Sequence, residues 1–295
     1  MTLLLVPFPG NETLAASLAE RTGGELTSLE MRAFPDGETY LQFSTPMERR
    51  AIALVCTLDR PDAKFLPLLF AAETARELGA ASVGLVAPYL AYMRQDRRFR
   101  TGEAVTSVAF ARAVSKFADW LVTVDPHLHR YGALSEIYGT PSISVHAAPL
   151  VSAWVKREIV RPLLIGPDEE SAQWVAAIAR DADAPHIVLR KKRVSDRNVE
   201  IALPDMTPWA GRMPVLVDDI ISTGRTMMEA LRQLRKAGFD HCACAAIHAV
   251  FAEGAYDGLR AAGATNLVTT NTISHPSNAL DVSGLISAAL SQFGA

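Results

Sequence analysis

Short apolar runs alternate along this chain with longer stretches whose apolar residues recur every three or four positions. Leu3–Val6, Ala51–Thr57, Ser82–Ala87, Trp120–Val124, Leu163–Ile165, His186–Leu189, Val215–Val217, Cys242–Val250 and Thr265–Thr269 are too short and too uniformly apolar for helices, which predicts buried strands. Between them, Glu12–Arg21, Lys64–Leu78, Val105–Phe117, Ala148–Glu158, Ser171–Asp181 and Thr226–Ala237 carry helical spacing. Strands without a polar face, alternating with amphipathic helices, predict an α/β fold built on mostly parallel sheets covered on both sides.

The length of 295 residues suits two domains of roughly 140 residues each. A Gly-Thr-Pro turn before Ile143–Ala148 sets the predicted boundary: an N-terminal domain over 1–145 and a C-terminal domain over 146–280. A last helix within 281–295 is expected to pack back on the first domain. Trp120–Asp125 and Val215–Asp219 are both apolar runs ending in Val-Asp before a polar loop, which suggests an ancestral duplication aligning these two strands.

Composition narrows the function classes. Hydrophobic residues make up 49% and charged residues 21%, ordinary for a globular protein. The formal net charge of −3 argues against a nucleic-acid-coating protein, so an anionic ligand must be held by local groups. No apolar run approaches the roughly 20 residues that span a bilayer. Pro7, Pro9 and Gly10 interrupt the apolar amino terminus, which reads as a first strand and not as a signal peptide. Cys56, Cys242 and Cys244 show no framework spacing, which points to buried, reduced thiols and a cytoplasmic location. On a strand, Cys242 and Cys244 would share a face.

The most specific chemistry lies in Val215-Leu-Val-Asp-Asp-Ile-Ile-Ser-Thr-Gly-Arg-Thr226. An apolar strand delivers Asp218 and Asp219 to its carboxyl end, where open α/β sheets bind ligands. Ser222, Thr223, Gly224, Arg225 and Thr226 then lead straight into a helix. Hydroxyls and free backbone N–H groups at a helix amino terminus make a phosphate cradle, and Gly224 permits close approach or positive φ. Carboxylates only accept hydrogen bonds, so Asp218 and Asp219 suit the vicinal hydroxyls of a sugar and not its phosphate. The element separates the two ends of a pentose phosphate by charge.

This segment resembles the binding loop of type I phosphoribosyltransferases and of their relatives, the ribose-phosphate pyrophosphokinases. Further segments resemble the pyrophosphokinases alone, and Arg98–Glu103 with Asp219–Gly224 is closest to their archaeal-type branch. The resemblance implies two tandem type I phosphoribosyltransferase-like domains. It implies transfer of the β,γ-diphosphate of ATP to the 1-hydroxyl of ribose 5-phosphate, giving phosphoribosyl diphosphate and AMP. Phe34-Pro-Asp-Gly-Glu38 matches a hairpin that reaches adenine across a subunit boundary, with Phe34 stacking and Asp36 and Glu38 accepting from the base or ordering the turn. A homodimer or higher homo-oligomer follows. Arg94 and Gln95 match the ATP segment, although Phe99 stands where the common branch has an acid.

His127, in Val124-Asp-Pro-His, and Asp168, in Gly166-Pro-Asp-Glu-Glu-Ser171, match the positions that hold Mg²⁺. Glu169 and Glu170 depart from the small residues usual beside the diphosphate, and read best as acids at a helix amino terminus. Lys191 and Arg193 match the Lys-x-Arg pair of the catalytic loop. The expected ligands are ATP, ribose 5-phosphate and Mg²⁺, with neither nucleic acid nor membrane. Two other readings stay open: a phosphoribosyltransferase that consumes phosphoribosyl diphosphate, and a non-catalytic regulatory paralogue. The first leaves Phe34–Glu38 and Arg94–Gln95 without a task.

Overall fold

A computed structural model describes residues 2–193 and 199–293, without the side chains of 191–193 and 199–201. The chain divides into two compact units: residues up to His146 with Thr272–Ser274 and everything from Val282, and Ala147–Asn271 with His275–Asp281.

In the first unit the elements run β1 (Leu3–Pro7), α1 (Glu12–Thr22), β2 (Glu25–Leu26), β3 (Leu29–Ala33), β4 (Thr39–Phe43), β5 (Ala51–Val55), α2 (Asp62–Glu77), β6 (Ser82–Ala87), α3 (Thr106–Phe117), β7 (Trp120–Val124) and β8 (Ser142–Val145). Six strands form a wholly parallel sheet in the order β2-β1-β5-β6-β7-β8. Every residue of β5 and β7 is buried, as continuous apolar runs require. Phe110, Ala111, Val114 and Phe117 line one stripe of α3 and join Leu54, Leu68, Leu85 and Leu121 in the core. The antiparallel β3–β4 hairpin rests on that core through Leu29, Met31, Leu41 and Phe43.

The second unit contains α4 (Ala148–Glu158), β9 (Pro162–Gly166), α5 (Ala172–Ala182), β10 (His186–Val188), β11 (Arg190–Arg193), β12 (Val199–Ala202), β13 (Met213–Ile220), α6 (Arg225–Lys236), β14 (Cys242–His248), α7 (Ala255–Ala262), β15 (Ala264–Thr270) and β16 (Asn278–Leu280). Its parallel sheet has the order β10-β9-β13-β14-β15-β16. Met227, Leu231 and Leu234 of α6 and Leu259 of α7 pack on the sheet with Ile165, Leu216 and Cys244. Cys242 and Cys244 share that face of β14, both buried and unbridged; burial pushes the Cys242 thiol up to about 12. The last helix, α8 (Ser283–Leu290), belongs to the first unit, where it packs on α1. Among the described residues no helix is long and apolar enough to cross a membrane.

Both sheets place their strands, ranked in chain order, as second, first, third, fourth, fifth, sixth, and in both an antiparallel two-stranded ladder follows the second strand. The repeated topology fits a duplication, but corrects the alignment expected from sequence. β13 is the third sheet strand of its unit and corresponds to β5, whereas Trp120–Val124 is the fifth and corresponds to β15. The shared Val-Asp ending is a coincidence of strand termini. In each sheet the order reverses beside the first strand, and the crevice outside the carboxyl ends there is where such sheets take ligands.

Candidate functional site

In the second unit that reversal lies between β9 and β13, and the residues singled out from sequence sit on both sides of it. β13 runs on through Ile220, so Asp218 and Asp219 are its penultimate residues and not a following loop. Asp218 is half-buried and accepts a hydrogen bond from the Asp219 N–H at 3.0 Å. Burial, then the neighbouring Asp219, then Asp168 hold the Asp218 carboxyl well above the usual carboxylate range. A carboxyl made costly to charge by burial and by two neighbouring acids marks a place suited to a hard cation or to hydroxyl donors, which fits Mg²⁺ and a sugar.

The loop after β13 is pinned where it leaves the strand. Ile221 N–H donates to His248 O at 3.1 Å, and Ala252 N–H donates to Ser222 O at 3.0 Å. Gly224 takes φ 65° as the residue before α6, and its carbonyl accepts the first helical bond from Met228 N–H at 2.8 Å. Its N-cap is a glycine, which has no side chain to cap it. The leading N–H groups of α6 carry the positive end of the helix dipole, which suits an anion. Ser222 and Thr226 are half-buried beside it, while Thr223 and Arg225 are exposed.

Asp168 follows β9 and is half-buried. Its carboxylate accepts from Glu170 N–H at 3.2 Å, and its carbonyl accepts from the Ser171 hydroxyl at 2.6 Å. Glu169 and Glu170 are exposed in the short turn that leads into α5, with Glu169 4.0 Å from Arg190. Their place at a helix amino terminus accounts for both acids. Lys191 and Arg193 lie on β11, whose backbone pairs with β12 in the register Lys191↔Ile201 and Arg193↔Val199. Their side chains and the segment 194–198 lie outside the described residues.

The nucleotide candidates belong to the first unit. Phe34–Glu38 forms the tip of the β3–β4 hairpin, closed by Phe34 N–H to Glu38 O at 2.8 Å and Gly37 N–H to Phe34 O at 2.9 Å. Asp36 orders the turn by accepting from Glu38 N–H at 3.1 Å. Phe34 is 41% exposed, edge-on to Tyr40, with the Arg32 guanidinium over both rings. Arg94 is exposed and Gln95 half-buried, its side-chain oxygen accepting from the Thr106 hydroxyl at 3.1 Å.

His127 is half-buried after β7, its ring edge-on to that of exposed His129. Sequence reasoning gave no part to Asp125, which is buried at φ 34° and bonded to His146 Nδ1 at 2.8 Å. That bond, working against burial, raises the His146 imidazole. Only the Val-Asp strand ending could have drawn attention to it.

A cavity of about 1020 Å³ opens at the opposite edge of the second sheet, lined by Met206, Arg212, Met213, Phe239 and Thr265 among others. It contains none of the residues identified from sequence.

Comparison with known proteins covers both units. Residues 3–117 match the N-terminal domain of ribose phosphate pyrophosphokinase, and residues 135–283 match the phosphoribosyl transferase domain. A ribose-phosphate pyrophosphokinase of Methanopyrus kandleri is 36% identical over 265 residues, covering 89% of this chain and 90% of that relative. The Methanosarcina mazei protein of the same name is 33% identical over 292 residues, 99% and 96% of the two chains. Both are archaeal, as the Arg98–Glu103 segment suggests. The crystal structure of phosphoribosylpyrophosphate synthetase from Mycobacterium smegmatis shares the fold, with a TM-score of 0.86 over 99% of both chains at 21% identity.

Proposed function

The chain belongs to the ribose-phosphate pyrophosphokinase family, and from that premise we propose the residues with which it moves diphosphate from ATP to ribose 5-phosphate. The observation that carries the acceptor half is the α6 terminus, which begins with a glycine cap four residues beyond the strand that holds the acid pair. The 5-phosphate rests on the N–H groups and hydroxyls of Ser222–Thr226, and Asp218 and Asp219 accept from the ribose hydroxyls. Arg94 pairs with nucleotide phosphate, Gln95 hydrogen-bonds the nucleotide, and Phe34 stacks on the base.

The ribose O1 forms a bond to the β-phosphorus as the bond from that phosphorus to the α,β-bridging oxygen breaks; AMP departs with the electron pair, and the hydroxyl proton passes to water. Such transfer needs position and charge neutralisation more than covalent help. Lys191 and Arg193 clamp the charge on the transferring group. When bound, Mg²⁺ supplies further neutralisation, and Asp168 and His127 are the residues that would hold it. Phe34 at a protruding hairpin supports a homodimer or higher oligomer in which the tip completes a neighbour's site.

The deciding measurement is AMP release from ATP, expected to require both ribose 5-phosphate and Mg²⁺. Binding of both substrates without AMP formation would identify a regulatory paralogue. Pyrophosphate release from phosphoribosyl diphosphate in the presence of a base would identify a phosphoribosyltransferase.

The loop geometry gives a narrower expectation. An alanine Cβ at position 224 would sit 3.3 Å from Leu259 Cδ1 on a backbone at φ 65°. Gly224→Ala should lower stability by roughly 1–2 kcal/mol and raise KM for ribose 5-phosphate more than KM for ATP. Chemical denaturation and paired substrate titrations would read both effects; an unchanged ribose 5-phosphate KM would remove the loop from phosphate binding.

A further inference from the structure

Tyr92 adopts φ 61°. This is the left-handed region, where a bulky side chain is an outlier that persists only when its surroundings hold it. Two elements do so. Its ring packs on Phe110 of α3, with centroids 4.8 Å apart, and its hydroxyl donates to the carboxylate of Asp62, the first residue of α2. The Asp62 carboxylate in turn pushes the Tyr92 phenol above its usual range.

The turn at Tyr92 has a consequence for its neighbours. Tyr89, Leu90, Ala91 and Met93 are buried, and Arg94 emerges exposed directly after Met93. Beyond it, Gln95 O accepts from Ser107 N–H at 3.3 Å and Gln95 Oε1 accepts from Thr106, both in the first turn of α3. Asp96 is fixed by Arg130 Nε at 3.2 Å and by the Tyr131 hydroxyl on its carbonyl, also at 3.2 Å. The segment is thus tethered after Arg94 by α3 and the Arg130–Tyr131 loop, and before it by the Tyr92 ring and hydroxyl. Extended backbone at position 92 would turn the following side chains about and exchange the inward Met93 with the outward Arg94.

We propose that Tyr92 is a positioning residue for the nucleotide: its ring on Phe110 and its hydroxyl on Asp62 hold the turn that aims the Arg94 guanidinium. The inference rests on the ATP-binding role given above to Arg94 and Gln95. Tyr92 acts through Arg94 and touches no reacting atom. A misaimed guanidinium loses the fixed geometry of phosphate pairing, so the effect falls on the nucleotide and spares the pentose.

Tyr92→Phe keeps the ring and removes the hydroxyl bond. KM for ATP should rise about 3- to 10-fold, with KM for ribose 5-phosphate within twofold of the parent. Asp62→Ala should match it, the double variant should be no worse than either single, and Asp62→Asn, which keeps an acceptor oxygen, should restore most of the loss. In an Arg94→Ala background Tyr92→Phe should add nothing. An unchanged ATP KM, an equal rise in both KM values, or full additivity with Arg94→Ala would overturn the proposal; a purely structural latch would lower the melting temperature with the KM values preserved. If the parent released no AMP, the functional reading would fail by itself. Calorimetric ATP affinity of the same variants would then decide the latch, and equal affinity of parent and Tyr92→Phe would overturn it.

Discussion

Lys191→Ala is expected to lower kcat about 100-fold or more while leaving both KM values within a few-fold. As the bond to AMP opens, negative charge builds on the departing AMP oxygen and is spread over the equatorial oxygens of the transferring phosphoryl group, and an ammonium aimed there is worth most in the transition state. A group that bound ATP equally well before and during transfer would change KM instead. Lys191 and Arg193 are two apart on β11, which puts both positions on one face of the ladder, with Lys192 on the other. Lys192→Ala is therefore the internal control, expected to stay near parental turnover. Steady-state kinetics on the three alanine variants, with folding checked by circular dichroism, would measure this. Near-parental kcat for Lys191→Ala, or an equal loss at Lys192, would remove the pair from the charge clamp.

How much of the site was legible depends on how far apart in the chain its parts lie. Val215–Thr226 could be read because strand, acids, hydroxyls, glycine and helix start are contiguous, and each has a distinct chemical signature. The Tyr92–Asp62 latch spans 30 positions and the Asp125–His146 pair 21, and only folding brings them together. The two-fold pattern in topology was legible in outline, yet its alignment was misread. Val-Asp can end a buried strand of any rank at a polar loop, whereas strand rank appears only when the sheet is assembled.

The same logic separates the elements found from those missed. Strands buried on every residue, such as β5, β7 and β14, announced themselves as apolar runs. β3 and β4 are half-buried or exposed along their length, so no apolar run marks them; the alternation of apolar and polar residues over Leu29–Ala33 is the signal that could have found the hairpin. β8 is an edge strand with every residue half-buried. α7 has only eight residues and carries Gly258, normally a helix breaker. A Cβ there would come within 2.9 Å of Met228 Sδ, near the end of a flexible side chain of α6 that would have to move aside.

Asp218→Asn should move activity and stability in opposite directions. A carboxylate hydrogen bond to a sugar hydroxyl is worth about 1.5–3 kcal/mol, so kcat/KM for ribose 5-phosphate should fall about 10- to 100-fold. In the protein free of ligand and metal, burial and the charges of Asp219 and Asp168 raise the folded-state pKa of Asp218 above its unfolded value near 3.9. The folded state then holds the proton more tightly than the unfolded one, so this group's contribution to stability declines as pH rises from about 4 through the folded pKa. The parent carries more of that penalty as pH rises above about 4, and an uncharged asparagine carries none of it. The asparagine oxygen can still accept from Asp219 N–H, so the local backbone keeps its partner. The variant should melt higher than the parent at neutral pH, by about 2–4 °C for each kcal/mol regained, and the gap should close on acidification toward pH 4. A melt in chelator at several pH values, beside a ribose 5-phosphate titration, tests both halves. A variant that melts lower than the parent at neutral pH would mean that the three carboxyls are not in electrostatic conflict. On the proposed reading, a site that holds a sugar and a cation is most strained when it holds neither, so binding function costs stability.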